Sequence, residues 1–196
     1  MIDNYVNLNE KEKELFERFY IIHKEASFNL TAIKDRSDFY IKHYLDSIYI
    51  FKNRNFNFST LLDIGTGGGF PGLVIGIINP LKKIYLVESK KKKCAFLEGA
   101  VNELALKNIA VVNKRVEELK DLKADIITAR AVDTIKNIIK RSLHLAKENS
   151  IWILYKGEFV DGEVKEASTL LFRLGLKIEK VRYDEPIKRS YIIISH

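Results

Sequence analysis

The segment that most constrains this chain is Leu61-Leu62-Asp63-Ile64-Gly65-Thr66-Gly67-Gly68-Gly69-Phe70-Pro71-Gly72, an apolar run that breaks into a glycine cluster and resumes as an apolar helical pattern. A buried strand, a loop that admits a ligand against its backbone and a following helix is the arrangement this order predicts. Glycine supplies the left-handed backbone and the missing Cβ that such a loop needs. Pro71 suits a first helical turn, where its absent N–H costs nothing.

Three ligand classes compete for the loop. A phosphate loop of the Walker type ends in Gly-Lys-Ser/Thr, whereas Phe70-Pro71-Gly72 stands here, so nucleoside triphosphate binding is disfavoured. A dinucleotide fingerprint can be read from Gly67, Gly69 and Gly72. It starts three residues after the strand instead of at the turn, and Pro71 removes a donor from the helix start that would hold a pyrophosphate. The third reading, Gly65-x-Gly67-x-Gly69 behind the acidic strand end at Asp63, resembles motif I of class I methyltransferases, whose ligand is a nucleoside with an amino-acid tail. A purely structural tight turn is the remaining alternative.

The next apolar run, Ile84-Tyr85-Leu86-Val87, ends in Glu88, about 19 residues after the last loop glycine. A carboxylate there can accept hydrogen bonds from both hydroxyls of a ribose. Beyond the third run, Val116 offers an apolar face for a base and Glu117 a polar edge, although Glu117 also suits the first turn of an exposed helix.

From Thr60 onward, short apolar runs at 60–64, 83–88, 109–113, 125–129, 150–156, 176–183 and 189–195 alternate with helical patterns at 71–79, 90–107, 133–147 and 160–174. That alternation predicts an α/β fold with a seven-stranded, mainly parallel sheet flanked by helices. The last two runs have only a short turn between them and are expected to pair antiparallel at one sheet edge. Ahead of the sheet, Leu15, Phe16, Phe19, Ile22 and Ala26 mark one amphipathic helix. Phe39, Ile41, Tyr44, Leu45, Ile48 and Phe51 mark a second, with Ser37 as its expected N-cap. Residues 1–55 therefore read as a short helical N-terminal extension and 56–196 as the ligand-binding domain. A chain of 196 residues buries roughly 70% of its unfolded surface and can fold alone.

The formal charge of +7 favours polyanionic partners. Lys90-Lys91-Lys92-Lys93, with Lys82 and Lys83 nearby, reads either as an RNA-backbone patch or as a solvated helix start. A single cysteine cannot form an internal disulfide, four scattered histidines offer no ligand spacing, and no run of about 18 apolar residues is present. No metal, no membrane association and a reducing cytoplasmic setting are the expectations.

The ordered motifs Asn29-Leu30-Thr31-Ala32-Ile33, His43-Tyr44-Leu45-Asp46-Ser47, the glycine loop with its Phe-Pro-Gly ending, Glu88-Ser89, Phe96-Leu97, Arg115-Val116-Glu117, Arg130-Ala131 and Lys156-Gly157 together resemble the ribosomal RNA small-subunit methyltransferase G family, also called glucose-inhibited division protein B. The likeness runs from about residue 15 to the end; Lys24-Glu25 stands where the family usually has Trp-Asn. It implies a Rossmann-like class I methyltransferase that uses S-adenosylmethionine to methylate N7 of a guanine in small-subunit (16S) ribosomal RNA, free or in a pre-assembled subunit. Apart from the resemblance, a cytoplasmic monomer is expected. Cofactor contacts are expected at Gly65, Gly67, Phe70, Glu88, Val116, Glu117 and Arg130. Guanine N7 has a free lone pair, so no general base is required, and Arg130, Lys156 and His43 are the positioning candidates. A methyltransferase acting on another RNA or a small molecule, or a basic RNA-binding module with residual cofactor binding, is the alternative; a nicotinamide oxidoreductase is disfavoured by the glycine spacing.

Overall fold

The computed structural model describes residues 2–196. Helix α1 (Glu10–Glu25) opens the fold, followed by α2 (Arg36–Phe39), a π-helical stretch (Tyr40–Leu45) and α3 (Asp46–Asn53), which run on without a break. Then come β1 (Thr60–Ile64), α4 (Gly72–Ile78), β2 (Lys83–Val87), α5 (Lys91–Glu103), β3 (Ile109–Val112), β4 (Ala124–Arg130), α6 (Ile135–Ser142), β5 (Ala146–Lys156), α7 (Asp161–Arg173), β6 (Lys177–Tyr183) and β7 (Arg189–Ser195). One seven-stranded sheet results, in the order β3-β2-β1-β4-β5-β7-β6. All neighbours are parallel except at β7, which runs antiparallel to both β5 and β6. The expected class and the expected antiparallel pair are both present.

The sheet is covered on both faces, and the alternation along each strand assigns its residues to one layer or the other. Leu61, Ile84, Leu86, Ile126, Ile153, Tyr155 and Tyr191 pack with α1, the π-helical stretch, α3, α4 and α5. Leu62, Val87, Ile127, Trp152, Leu154, Ile192 and Ile194 pack with α6 and α7. The N-terminal helices are bolted to the sheet by tyrosines as well: Tyr155 Oη donates to the Ser47 carbonyl (2.7 Å) and Tyr191 Oη to that of Asp46 (3.0 Å).

Local corrections follow from hydrogen bonding that the sequence pattern does not display. Asp35, not Ser37, caps α2, because its side chain accepts from the Asp38 amide at 2.8 Å. On α1 the core-facing stripe includes His23, while Ile22 is only half-buried. The helix expected over 133–147 stops at Ser142, whose hydroxyl donates to the Ile138 carbonyl and accepts from Trp152 Nε1; a 3₁₀ turn and β5 follow. At the far sheet edge, β6 exposes Lys177, Glu179, Lys180 and Arg182.

Candidate active site

The glycine loop lies at the carboxyl ends of the strands, where open α/β sheets bind their ligands. Gly65 continues the β1 ladder by donating to the Val87 carbonyl (2.8 Å) and then turns with φ +63°; Gly67 follows at φ +60°. A side chain at Gly65 would begin 2.8 Å from Val132 Cγ2, so both conformation and space reserve this position for glycine. Asp63 fastens the loop from below. Its Oδ2 accepts from the Gly72 amide (2.9 Å) and its Oδ1 from Thr128 Oγ1 (2.7 Å), and complete burial pushes its carboxyl up to about 6.

Glu88 is buried just past β2 and aims its carboxylate at the loop: Oε2 accepts from the Gly67 amide (3.2 Å) and Oε1 from the Lys90 amide (2.9 Å). Each oxygen keeps lone-pair capacity for a further donor. Val116 packs in the same apolar cluster as Ile64 and Val87, the last residues of β1 and β2. Glu117 is exposed and pairs with Arg141 at 3.3 Å. Glu88 joins Gly67 and the N-terminus of α5 in one cradle. Lys93 Nζ lies 3.7 Å from where a side chain at Gly67 would begin, which gives one member of the lysine run a place beside the loop.

Phe70, His43 and Arg130 form a second group. The Phe70 side chain turns into the core and stacks on the His43 ring at 4.3 Å and 7° between planes, with the Arg130 guanidinium 5.2 Å from its centroid. Arg130 donates to His43 Nδ1 (3.1 Å), to Asp46 Oδ2 (3.0 Å) and to the Lys42 carbonyl (3.1 Å). Because a guanidinium only donates, His43 carries its proton on Nε2, which donates to Thr31 Oγ1 at 2.7 Å. This chain joins Thr31, His43 and Arg130, which come from three of the sequence motifs. Asp46 is fully buried and is also held by Arg189 at 2.6 and 2.7 Å. Lys156 stands apart, donating to Glu163 Oε2 (2.7 Å) and the Asp133 carbonyl (2.6 Å).

Two partners escaped sequence reasoning. Arg189 belongs to no motif and meets Asp46 across 143 positions. His23 Nε2 lies 2.8 Å from the Gly68 carbonyl; its one sequence signal is helical spacing from Phe16 and Phe19 on the buried stripe. A cavity of about 510 Å³ lies elsewhere, between α1 and the Ala105-Leu106-Lys107 turn ahead of β3. It contains none of the glycine-loop groups, and strand-end chemistry outweighs its size.

Burial pushes the His23 imidazole down to about 4 and, with the Arg130 charge beside it, the His43 imidazole to about 3. Both are therefore neutral in the fold at pH values where an unfolded histidine, near 6.5, is already charged. Their stabilising effect is fully present above pH 6.5 and is lost as pH falls through 6.5 toward 4. Asp63 acts oppositely, since its raised carboxyl costs stability as pH rises from 3.8 to about 6. Denaturant titrations of the parent and His23→Leu between pH 4.5 and 6.5 separate the contributions: the parent is expected to lose about 1.4 kcal/mol per pH unit more than the variant. Parallel curves would refute the assignment.

A seven-stranded sheet with β7 reversed beside β5, a glycine loop after β1 and an acid after β2 define an S-adenosylmethionine-dependent methyltransferase of class I. The same fold is seen in a SAM-dependent methyltransferase from Aquifex aeolicus (TM-score 0.59, 16% identity, covering 91% of this chain and 96% of that one). The chain belongs to the rRNA small subunit methyltransferase G family, whose model matches residues 12–189. It is 38% identical over 182 residues to Ribosomal RNA small subunit methyltransferase G of Carboxydothermus hydrogenoformans, covering 89% of this chain and 77% of the relative. Against the protein of that name from Mycoplasma capricolum it is 34% identical over 185 residues, covering 91% and 80%.

Proposed function

We propose that the chain transfers the methyl group of S-adenosylmethionine to N7 of a specific guanine in small-subunit (16S) ribosomal RNA, and does so in the cytoplasm as a monomer. The observation that carries the reading is the buried Glu88 carboxylate bonded to the loop amide of Gly67, in a chain that belongs to this family. Loop and acid are the two halves of a nucleoside site, and they meet. The donor set suits the cofactor: two carboxylate oxygens for ribose hydroxyls, glycines that admit the amino-acid tail, and Val116 for the adenine face. Phe70 serves from within the core, by fixing His43 and Arg130.

S-adenosylmethionine, when bound, supplies a methyl group on a positively charged sulfur, which the N7 lone pair takes as the carbon–sulfur bond breaks, with no proton released. The protein's work is accordingly orientation, worth roughly 7–11 kcal/mol in well-positioned reactions. His43 is not arranged as a base: both its ring nitrogens are engaged, and its low pKa makes it a weak proton acceptor. Arg130 is held by Asp46 and His43, which keeps its charge at a fixed point while positive charge moves from sulfur to the guanine ring.

Incubation of small-subunit RNA, free and as assembled subunits, with the protein and radiolabelled methyl donor tests the assignment. Label released as 7-methylguanine supports it; label on another atom, or only on small molecules, overturns it. A narrower test is Glu88→Gln. The amide nitrogen would face the Gly67 or Lys90 amide, donor against donor, and the charge that attracts ribose hydroxyls is gone. Hydrogen bonds to charged groups contribute about 1.5–3 kcal/mol each, so the cofactor Kd is expected to rise roughly 10- to 100-fold in calorimetry. An unchanged Kd would remove Glu88 from the site.

A further inference from the structure

Single apolar side chains in water are ordinary, so what matters is where they stand. Leu81, Phe159 and Phe172 are 95%, 94% and 86% exposed. Leu81 precedes β2 and Phe172 lies in the last turn of α7, just ahead of β6, so both are at the amino ends of the strands. Phe159 stands at the opposite edge, three residues beyond Lys156, where β5 stops. That is the edge at which the glycine loop opens, and the cofactor reading gives this ring no use.

The loop that carries Phe159 is braced against the segment that follows β4. β5 lies directly beside β4, with Tyr155 opposite Arg130, and three residues of chain reach no more than about 11 Å beyond Lys156. Lys156 Nζ donates to the Asp133 carbonyl (2.6 Å) and to Glu163 Oε2 (2.7 Å), and the same Glu163 oxygen accepts from the Ile135 amide (3.0 Å). Val160, the neighbour of Phe159, is buried and anchors the loop. The braced segment also holds Val132, whose Cγ2 lies 2.8 Å from where a side chain at Gly65 would begin and which is itself partly exposed. Two apolar groups on two joined loops are thus left in water beside the glycine loop. The acids here are already matched: Asp133 with Arg141, Glu158 with Arg182, Asp161 with Lys180 and Glu163 with Lys156. Lys136 at the start of α6 and Lys188, which lines the same hollow as Glu158, are exposed and have no carboxylate partner among the described residues. A polyanion approaching these loops meets free cations and no free carboxylate on them.

We infer that Phe159 is an RNA-stacking residue: an unpaired nucleobase flanking the target guanine lies on its ring, while adjoining phosphates meet Lys136 and Lys188. The inference rests on the ribosomal RNA reading above and deepens it. Enzymes that act on a base draw it out of its stack, which uncovers the face of its neighbour. Aromatic side chains are the usual cover for such a face in single-stranded RNA. The Phe159 ring is almost wholly free of protein contact, so a base can take it without displacing anything, and the braced loop holds it at a fixed place on the rim. Every base has a π-face, so the ring holds the strand and leaves the choice of guanine to the groups at the ends of β1 and β4.

Four variants of the full chain test this, assayed with radiolabelled S-adenosylmethionine on free small-subunit RNA or assembled subunits, whichever the parent methylates. All change exposed positions, so each is expected to fold as the parent does. Phe159→Ala removes the ring, and base–aromatic stacking energies translate into a KM for the RNA substrate raised roughly 5- to 150-fold, with the S-adenosylmethionine Kd unchanged. Phe159→Leu keeps apolar bulk without a π-face and is expected to be impaired as well, whereas Phe159→Trp restores the parent KM. Phe172→Ala, an equally bare ring at the far edge, is expected to match the parent. A parent-like KM for Phe159→Ala would overturn the stacking and leave the functional reading standing. Impairment by alanine but not by leucine would mean a plain apolar contact, as with a ribosomal protein, and would overturn it too. If the parent binds the methyl donor but methylates neither free RNA nor subunits, the functional reading falls and the stacking with it.

Discussion

Asp46→Ala is expected to lower the unfolding free energy by about 3–5 kcal/mol, the largest effect of any single truncation outside the apolar core. Asp46 is fully buried and faces two guanidinium groups, Arg189 at 2.6 and 2.7 Å and Arg130 at 3.0 Å, both themselves mostly buried. Assembling such a cluster gains little over an apolar core, because desolvation offsets most of the attraction. Removing the one anion is a different matter, since two cations then remain with their solvation gone and their partner missing. A single domain has about 5–15 kcal/mol in total. Urea unfolding should show the midpoint falling with an unchanged slope, and the thermal midpoint should drop by roughly 6–20 °C. A loss under about 1 kcal/mol, the range of an exposed ion pair, would mean that water reaches the cluster. Asp46→Ala also frees Arg130 from its anchor, so residual activity in the folded fraction reports how much methyl transfer depends on that fixed charge.

Gly65→Arg is expected to abolish methyl transfer and weaken S-adenosylmethionine binding more than 100-fold, about 2.7 kcal/mol or more. The residue sits at φ +63°, and its Cβ would begin 2.8 Å from Val132 Cγ2. Strain of about 1–2 kcal/mol from the left-handed backbone is added to a side chain that must displace Val132 and with it the loop. Gly162→Ala provides the comparison. It lies in α7 with nothing within 4 Å of an added Cβ, so binding is expected to stay unchanged and stability to hold or rise slightly. Calorimetric titration of both variants, with circular dichroism to confirm that each is folded, separates loss of the site from loss of the fold. Parent-like binding by Gly65→Arg would move the cofactor away from this loop.

Much of the architecture was legible because buried parallel strands read as mainly apolar runs, and β1, β2 and β3 start where those runs begin; antiparallel β7 also starts at the expected Arg189. The meeting of the loop with Glu88 could be expected from their positions at neighbouring strand ends, and the Gly67 amide does donate to the Glu88 carboxylate. Long-range polar matching was not legible. The first half of β5, through Lys147-Glu148-Asn149, is exposed and polar, so its pairing gave no apolar signal and the preceding helix looked longer than it is. Arg130 and Lys156 were placed at the right strand ends, but Arg130 finds Asp46 84 positions away, which no local pattern encodes, and Lys156 turns to Glu163 on α7 and to the Asp133 carbonyl. His23 passed as one of four scattered histidines because its role depends on the Gly68 carbonyl, 45 residues away.

The edge strand β6 bears on how the molecule behaves in a crowded solution. An outer strand carries a row of unpaired amides and carbonyls that a neighbouring copy could extend. Here Lys177, Glu179, Lys180 and Arg182 line it, and three of these are engaged: Glu179 with Arg54, Lys180 with Asp161, and Arg182 with Glu158 and Asp184. A second copy would have to break these pairs and desolvate the charges before its backbone could add to the ladder. The opposite edge, β3, is only four residues long and offers a short template. Charge at one rim and brevity at the other guard the sheet against aggregation by strand addition, a hazard that grows with concentration and that folding stability alone does not remove.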